Sequence, residues 1–135
     1  MNKTKLILLI LGTLFLLTAC EDSEKGKLDN RINAYWQHKI NKEYGKAYEF
    51  TTPGYRKLVN KEDYILKFSN NNIEWVGSKL KNKKCEKKEV CTAILMVTYK
   101  YNMKLGMAGS EDVRVDTELK ERWLIKDNTW YIVQK

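Results

Sequence analysis

Along the first half of the chain apolar residues recur at the three- and four-residue spacing of a helix. Along the second half they alternate. Leu28, Ile32, Tyr35, Trp36 and Ile40 form one stripe, and Tyr44, Ala47 and Tyr48 continue it beyond Asn41-Lys42. That break fits either one long helix or two short ones. Thr52-Pro53 sets a capping hydroxyl before a proline at the first helical position, which predicts a short helix from Tyr55 to Val59. Asn60 followed by Asp63 opens a further helix with Tyr64, Ile65 and Phe68 inward, and Asn70-Asn71-Asn72 closes it.

The period then changes. Ile73 to Lys84 and Val90 to Met103 predict two long strands, the second rich in β-branched and aromatic residues. Leu105 to Asp112, with Gly106, Gly109 and Ser110, predicts a loop. Val113 to Lys126 alternates, with Thr117, Leu119, Glu121, Trp123 and Ile125 on one face and Glu118, Lys120, Arg122, Leu124 and Lys126 on the other. Asp127-Asn128 turns the chain into a last strand, Trp130 to Val133. The expected class is α+β, with N-terminal helices packed on one face of a four-stranded antiparallel sheet.

The first residues follow a different logic. Lys3 and Lys5 precede an almost wholly apolar run, Leu6 to Leu17, and Leu17-Thr18-Ala19-Cys20 closes it. A run of about 12 to 14 apolar residues is short for a bilayer core of roughly 30 Å and suits the centre of a signal peptide. A plain secretory signal with a chance cysteine and an uncleaved N-terminal anchor are the competing readings. Leu-Thr-Ala-Cys resembles the bacterial lipobox. That resemblance implies diacylglycerol on the Cys20 thiol, cleavage before it, and further acylation, of the palmitate kind, holding an exported protein on a membrane. Each buried methylene would add about 0.8 kcal/mol. The expected organisation is a lipoprotein signal peptide over 1–19, a polar lipidated tether over 20–27, and one domain over 28–135.

With Cys20 lipidated, Cys85 and Cys91 remain. An even pair in an exported domain, flanking a charged stretch between two strands, predicts a disulfide near a hairpin end. Two thiols with no neighbouring histidine or acidic cluster make a poor metal site, and the spacing is not that of a redox pair. Neither metal nor cofactor is expected. The 25 basic and 17 acidic side chains give +8, and loss of Lys3 and Lys5 lowers it to +6. Such an excess suits an anionic surface or an acidic protein, whereas export argues against nucleic acid. Lys79, Lys81, Lys83 and Lys84 form a candidate basic contact patch, or simply a solvated strand edge.

The element order and several short signatures also resemble the nuclear transport factor 2-like (cystatin-like cone) superfamily. Tyr35-Trp36 stands on the first helix, Glu43 to Tyr48 and Pro53 to Arg56 follow, and Trp123 to Ile125 and Trp130 to Val133 close the chain. The resemblance implies that the sheet curves into a cone around a pocket, with Trp36, Phe68, Glu121 and Trp123 as candidate lining. Cone enzymes place a carboxylate or a His-Asp pair there as general base. Glu121 is the carboxylate that fits, whereas His38 falls off the inward stripe and is expected to be exposed. Dimers through the open sheet face, common in that superfamily, make a homodimer an expectation by analogy.

The favoured function is a membrane-anchored envelope lipoprotein acting as a non-enzymatic binding or accessory module for a protein or small ligand. The alternatives are an isomerase- or hydrolase-type enzyme using Glu121 in a cone pocket, and an immunity- or exclusion-type lipoprotein.

Overall fold

The computed structural model describes residues 19–70, 72–104 and 109–134. The apolar run and both lysines of the expected signal segment lie outside these residues, as do residues 105–108 of the expected loop. Four helices come first: α1 (Ala19–Ile40), α2 (Tyr44–Tyr48), α3 (Pro53–Leu58) and α4 (Lys61–Ser69). Four strands follow: β1 (Ile73–Lys87), β2 (Val90–Lys104), β3 (Ser110–Lys126) and β4 (Thr129–Val133).

Local chemistry sets the boundaries. Lys42 takes a positive φ of 59° and ends the stripe of α1, so the chain forms two helices there. The Thr52 hydroxyl accepts from the Tyr55 amide at 3.2 Å, with Pro53 at the first helical position. Asn60 Oδ1 accepts from the Asp63 amide at 2.8 Å and caps α4. Asp127 and Asn128, with φ of 49° and 59°, form the tight turn into β4. Helix α1 begins at Ala19, so the backbone of residues 20–27, the expected tether, is helical.

The strands form an antiparallel meander in the order β1-β2-β3-β4. Strand β3 starts at Ser110 and takes up the last residues of the expected loop. Three register shifts interrupt β1, at Val76, Lys81 and Glu86. Each adds one residue against β2, and the alternation changes phase across it. Trp75, Ser78, Leu80, Lys83 and Cys85 therefore share rows with Tyr99, Val97, Leu95, Ala93 and Cys91 of β2. Cys85 and Cys91 stand opposite each other and form a disulfide.

The core lies between α1 and one sheet face. Leu28, Ile32, Tyr35 and Trp36 pack over Cys91, Ala93, Leu95, Val97 and Trp123, all at most 2% exposed. At roughly 25 cal/mol per Å² of apolar surface, these large side chains dominate the stability of the domain. The parallel bridge Thr51↔Ile132 and the Ile132 amide donating to the Phe50 carbonyl at 2.9 Å fasten the helical half to the sheet edge.

The expected cone is corrected here. Helix α1 lies along the sheet, chiefly over β1, whereas α2 packs on α1 and α4. The helices thus do not all settle on a sheet curled around a hollow. Bulky rings from both layers, Trp36, Tyr35 and Trp123, occupy the space a conical pocket would need: Tyr35 meets Trp36 and Trp123 edge-on at 6.0 and 5.8 Å.

Candidate functional site

Two places concentrate chemistry. The first is inside the core. The alternation of β3 turns Leu119, Glu121 and Trp123 toward α1, as the pattern predicts. Trp36, arriving from α1, donates its indole N–H to Glu121 Oε1 at 3.1 Å, and Trp123 donates to Oε2 at 3.2 Å. Both oxygens of one carboxylate are thereby engaged by the core itself.

Lys39, one turn beyond Trp36, is 6% exposed. Its ammonium sits among four rings: Trp36 at 4.2 Å, Phe68 and Trp75 at 4.8 Å, and Tyr35 at 5.4 Å. The negative faces of these rings take over part of what water supplied to the cation. Burial pushes its pKa down to about 8 against the upward pull of Glu121, and Lys67 adds to the depression. Burial likewise raises the pKa of Glu121, while Lys39 and the two indole donors draw it back. Nearby, the Tyr35 and Tyr64 hydroxyls lie 3.3 Å apart, and burial pushes Tyr64 up to about 12.

The second place is an open cleft of about 430 Å³ where β1 begins and β2 ends. Tyr44 and Phe68, stacked at 5.8 Å, form one wall and Tyr101 belongs to another. Glu74 ties the rim together, meeting Lys42 at 3.2 Å and Lys100 at 3.1 Å, which lowers its pKa. Phe68 serves both places, since it lines the cleft and flanks Lys39.

The structure does bring the four expected lining residues together. Trp36, Glu121 and Trp123 join through hydrogen bonds within the packed layer, and Phe68 joins through Lys39 while also lining the open cleft. The four patch lysines are divided. Lys79, Lys81 and Lys84 are exposed, whereas Lys83 shares the inner row of Ala93 and Glu121 and ion-pairs with Asp29 on α1. His38 is partly covered, donating through Nδ1–H to Glu43 Oε2 at 2.7 Å and packing on Phe50. The backbone of Cys20 lies in the first turn of α1. Lys39 escaped the sequence reading although its position extends the stripe of Leu28, Ile32, Tyr35 and Trp36. Its charge argued for solvent, and nothing in the sequence revealed the rings around it.

No family model matches the chain, and no curated protein does. Among solved structures it is similar to a SEC-C motif containing protein from Rhodopseudomonas palustris, determined in solution. The TM-score is 0.57 at 12% sequence identity, over 77% of this chain and 73% of that one. At that identity the likeness concerns the fold alone. Together with this chain's four helices and four-stranded antiparallel meander, the likeness corrects the resemblance to the cone superfamily as a statement of fold. Among the described residues, no helix is long and apolar enough to cross a membrane, and no group of three or more His, Cys, Asp or Glu side chains could hold a metal ion.

Proposed function

We propose that the chain is an exported lipoprotein, held by lipid on Cys20, whose domain is a non-enzymatic binding or accessory module. The observation that carries the non-enzymatic part is the engagement of Glu121: both oxygens accept indole N–H groups, 3.1 and 3.2 Å away, in the core. A general base must come within hydrogen-bond reach of a substrate proton, and here Trp36, Trp123 and the Lys39 side chain crowd this carboxylate. The disulfide between Cys85 and Cys91 suits an oxidising compartment and thus supports export.

The cleft beside Tyr44, Phe68 and Tyr101 supports binding, because aromatic walls with a few charged groups at the rim are what small ligands and short peptide segments require. A photoreactive residue in place of Tyr101, in the full chain in its own cells, should give a discrete adduct that Glu121→Gln preserves. A control at exposed Glu62 should give none. Loss of the cellular phenotype in a folded Glu121→Gln protein, with no adduct from position 101, would favour an enzyme instead.

A further inference from the structure

One end of the molecule gathers features that lie far apart in sequence. The turn between β1 and β2, Lys88-Glu89, is tied to β3 by the Ile125 amide donating to the Glu89 carbonyl at 2.9 Å. The turn between β3 and β4, Asp127-Asn128, lies beside it, because Val90 pairs with Leu124 and Lys126 with Thr129.

Helix α1 runs antiparallel to β1. Asp29 meets Lys83, while Lys42, just past the other end of the helix, meets Glu74. Upstream of Asp29 the helix therefore heads for the same pair of turns. Nine helical residues separate Asp29 from Cys20, about 14 Å at the usual rise. Lys83 is five residues from the β1–β2 turn, about 16 Å of strand. Cys20 is thus nearly level with the turns.

This end is basic. On the sheet face turned away from α1, the rows Lys84–Thr92–Arg122 and Lys79–Met96–Glu118 run across β1, β2 and β3. Lys79, Lys84, Lys87, Lys120, Arg122 and Lys126 are all exposed, and Lys81 and Lys88 add to them. The acids there are Glu86, which meets Arg122 at 3.9 Å, with Glu89, Glu118 and Asp127. Lys79 and Glu118 stand near mid-strand, and closer to the turns seven cations face three acids; the first turns of α1 add Glu21, Asp22 and Glu24 with Lys25 and Lys27. Between the charges, the partly covered Val90, Ile94 and Met96 of β2 give the face an apolar strip.

We infer that this end seats against anionic phospholipid headgroups, so that a basic surface adds a second hold to the lipid on Cys20. The inference takes its direction from the lipid-anchor reading, which would set the lysines at the plane of the bilayer. Acyl chains and a basic patch act together in membrane attachment, and the attraction reaches only about a Debye length, which level placement of the turns satisfies. A second copy of the chain is disfavoured as the occupant, because two such faces carry the same sign. An acidic protein would gain nothing from the patch lying level with the anchor.

The test uses the full processed protein in vesicles of phosphatidylcholine alone or with phosphatidylglycerol, read by lysine acetylation and mass spectrometry. In phosphatidylglycerol vesicles, Lys84, Lys87, Lys120 and Lys126 should label at least about fivefold more slowly, the factor expected from the attraction of one surface lysine. Lys67, on α4 at the far end, should label equally in both. About 0.5 M salt should abolish the difference while the protein stays on the vesicle. Lys120→Glu with Lys126→Glu should remove the protection of Lys84 and Lys87. Equal labelling in the two vesicle types would overturn the inference, as would protection seen only in native membranes that contain protein. The mass of the N-terminal peptide reports the anchor separately. Without lipid on Cys20 the anchor reading fails, and the same soluble protein added to the vesicles then decides whether the basic end alone seeks phosphatidylglycerol.

Discussion

The two faces of the sheet are made from the same strands, and neighbouring residues on them live in opposite environments. Glu121 sits under α1 with two indoles on its carboxylate, whereas Arg122 is exposed and meets Glu86 at 3.9 Å. Lys83 ion-pairs with Asp29 against the helix, whereas Lys84 is exposed. A shift of one residue exchanges a structural charge for a surface charge. The inner charges cost desolvation that rings and hydrogen bonds offset, and removing one partner leaves the other exposed to that cost. The outer charges are solvated already and are open to partners.

The contrast breaks most visibly at the centre. Trp123→Ala should lower unfolding free energy by about 3 to 5 kcal/mol in urea titrations, since it removes a 0%-exposed side chain and one donor to Glu121. Arg122→Ala next to it should stay within about 0.5 kcal/mol. Similar costs for the two would erase the distinction between the faces.

Glu121→Gln should cost about 2 kcal/mol, because an amide has one acceptor oxygen for two indole donors. It should also lower the pKa of Lys39 further, as Glu121 is the group that raises it. A variant as stable as the parent protein would show that the indoles find other acceptors.

Cys85→Ser combined with Cys91→Ser should cost about 2 kcal/mol, the entropy of a short closed loop, read as a shift in thermal midpoint. A larger loss would mean that the cross-strand pair also fixes the register of the bulged β1.

Lys39 gives a pH signature. Its folded pKa of about 8 lies below the ordinary 10.5, so between those values the unfolded chain binds the proton more tightly. Stability attributable to Lys39 therefore rises with pH across that window, at no more than about 1.4 kcal/mol per pH unit. Lys39→Met should remove that rise. An unchanged slope in the variant would place the buried proton elsewhere.

The smallest effect belongs outside. Lys120→Glu should move stability by less than about 0.5 kcal/mol in the same titration. A large loss there would mean that the outer face is structural too.

Much of the fold was legible because its signals are local. The stripe Leu28 to Trp36, the caps at Thr52 and Asn60, the Asp127-Asn128 turn and the inward face of β3 each depend on residues a few positions apart. The facing of Cys85 and Cys91 was legible for the same reason, being a short hairpin closure. The cone was not: whether helices enclose a hollow depends on how far Trp36 and Trp123 project into it. Alternation alone divides the patch at Lys83 and Lys84, and a register shift at Lys81, without a clear mark in the sequence, set Lys83 as the inward one.

By itself, then, the sequence determined the succession of helices and strands, the inward face of β3, the pairing of two cysteines and the positive charge of the chain. Periodicity and turn chemistry act over a few residues, and charge is additive. Only the tertiary structure decided that Glu121 would hold two indoles, that Lys39 would lie among four rings, and that the basic turns would share an end with Cys20. Those outcomes require surfaces from distant segments to meet, and burial changes what a charged group does only once they have met.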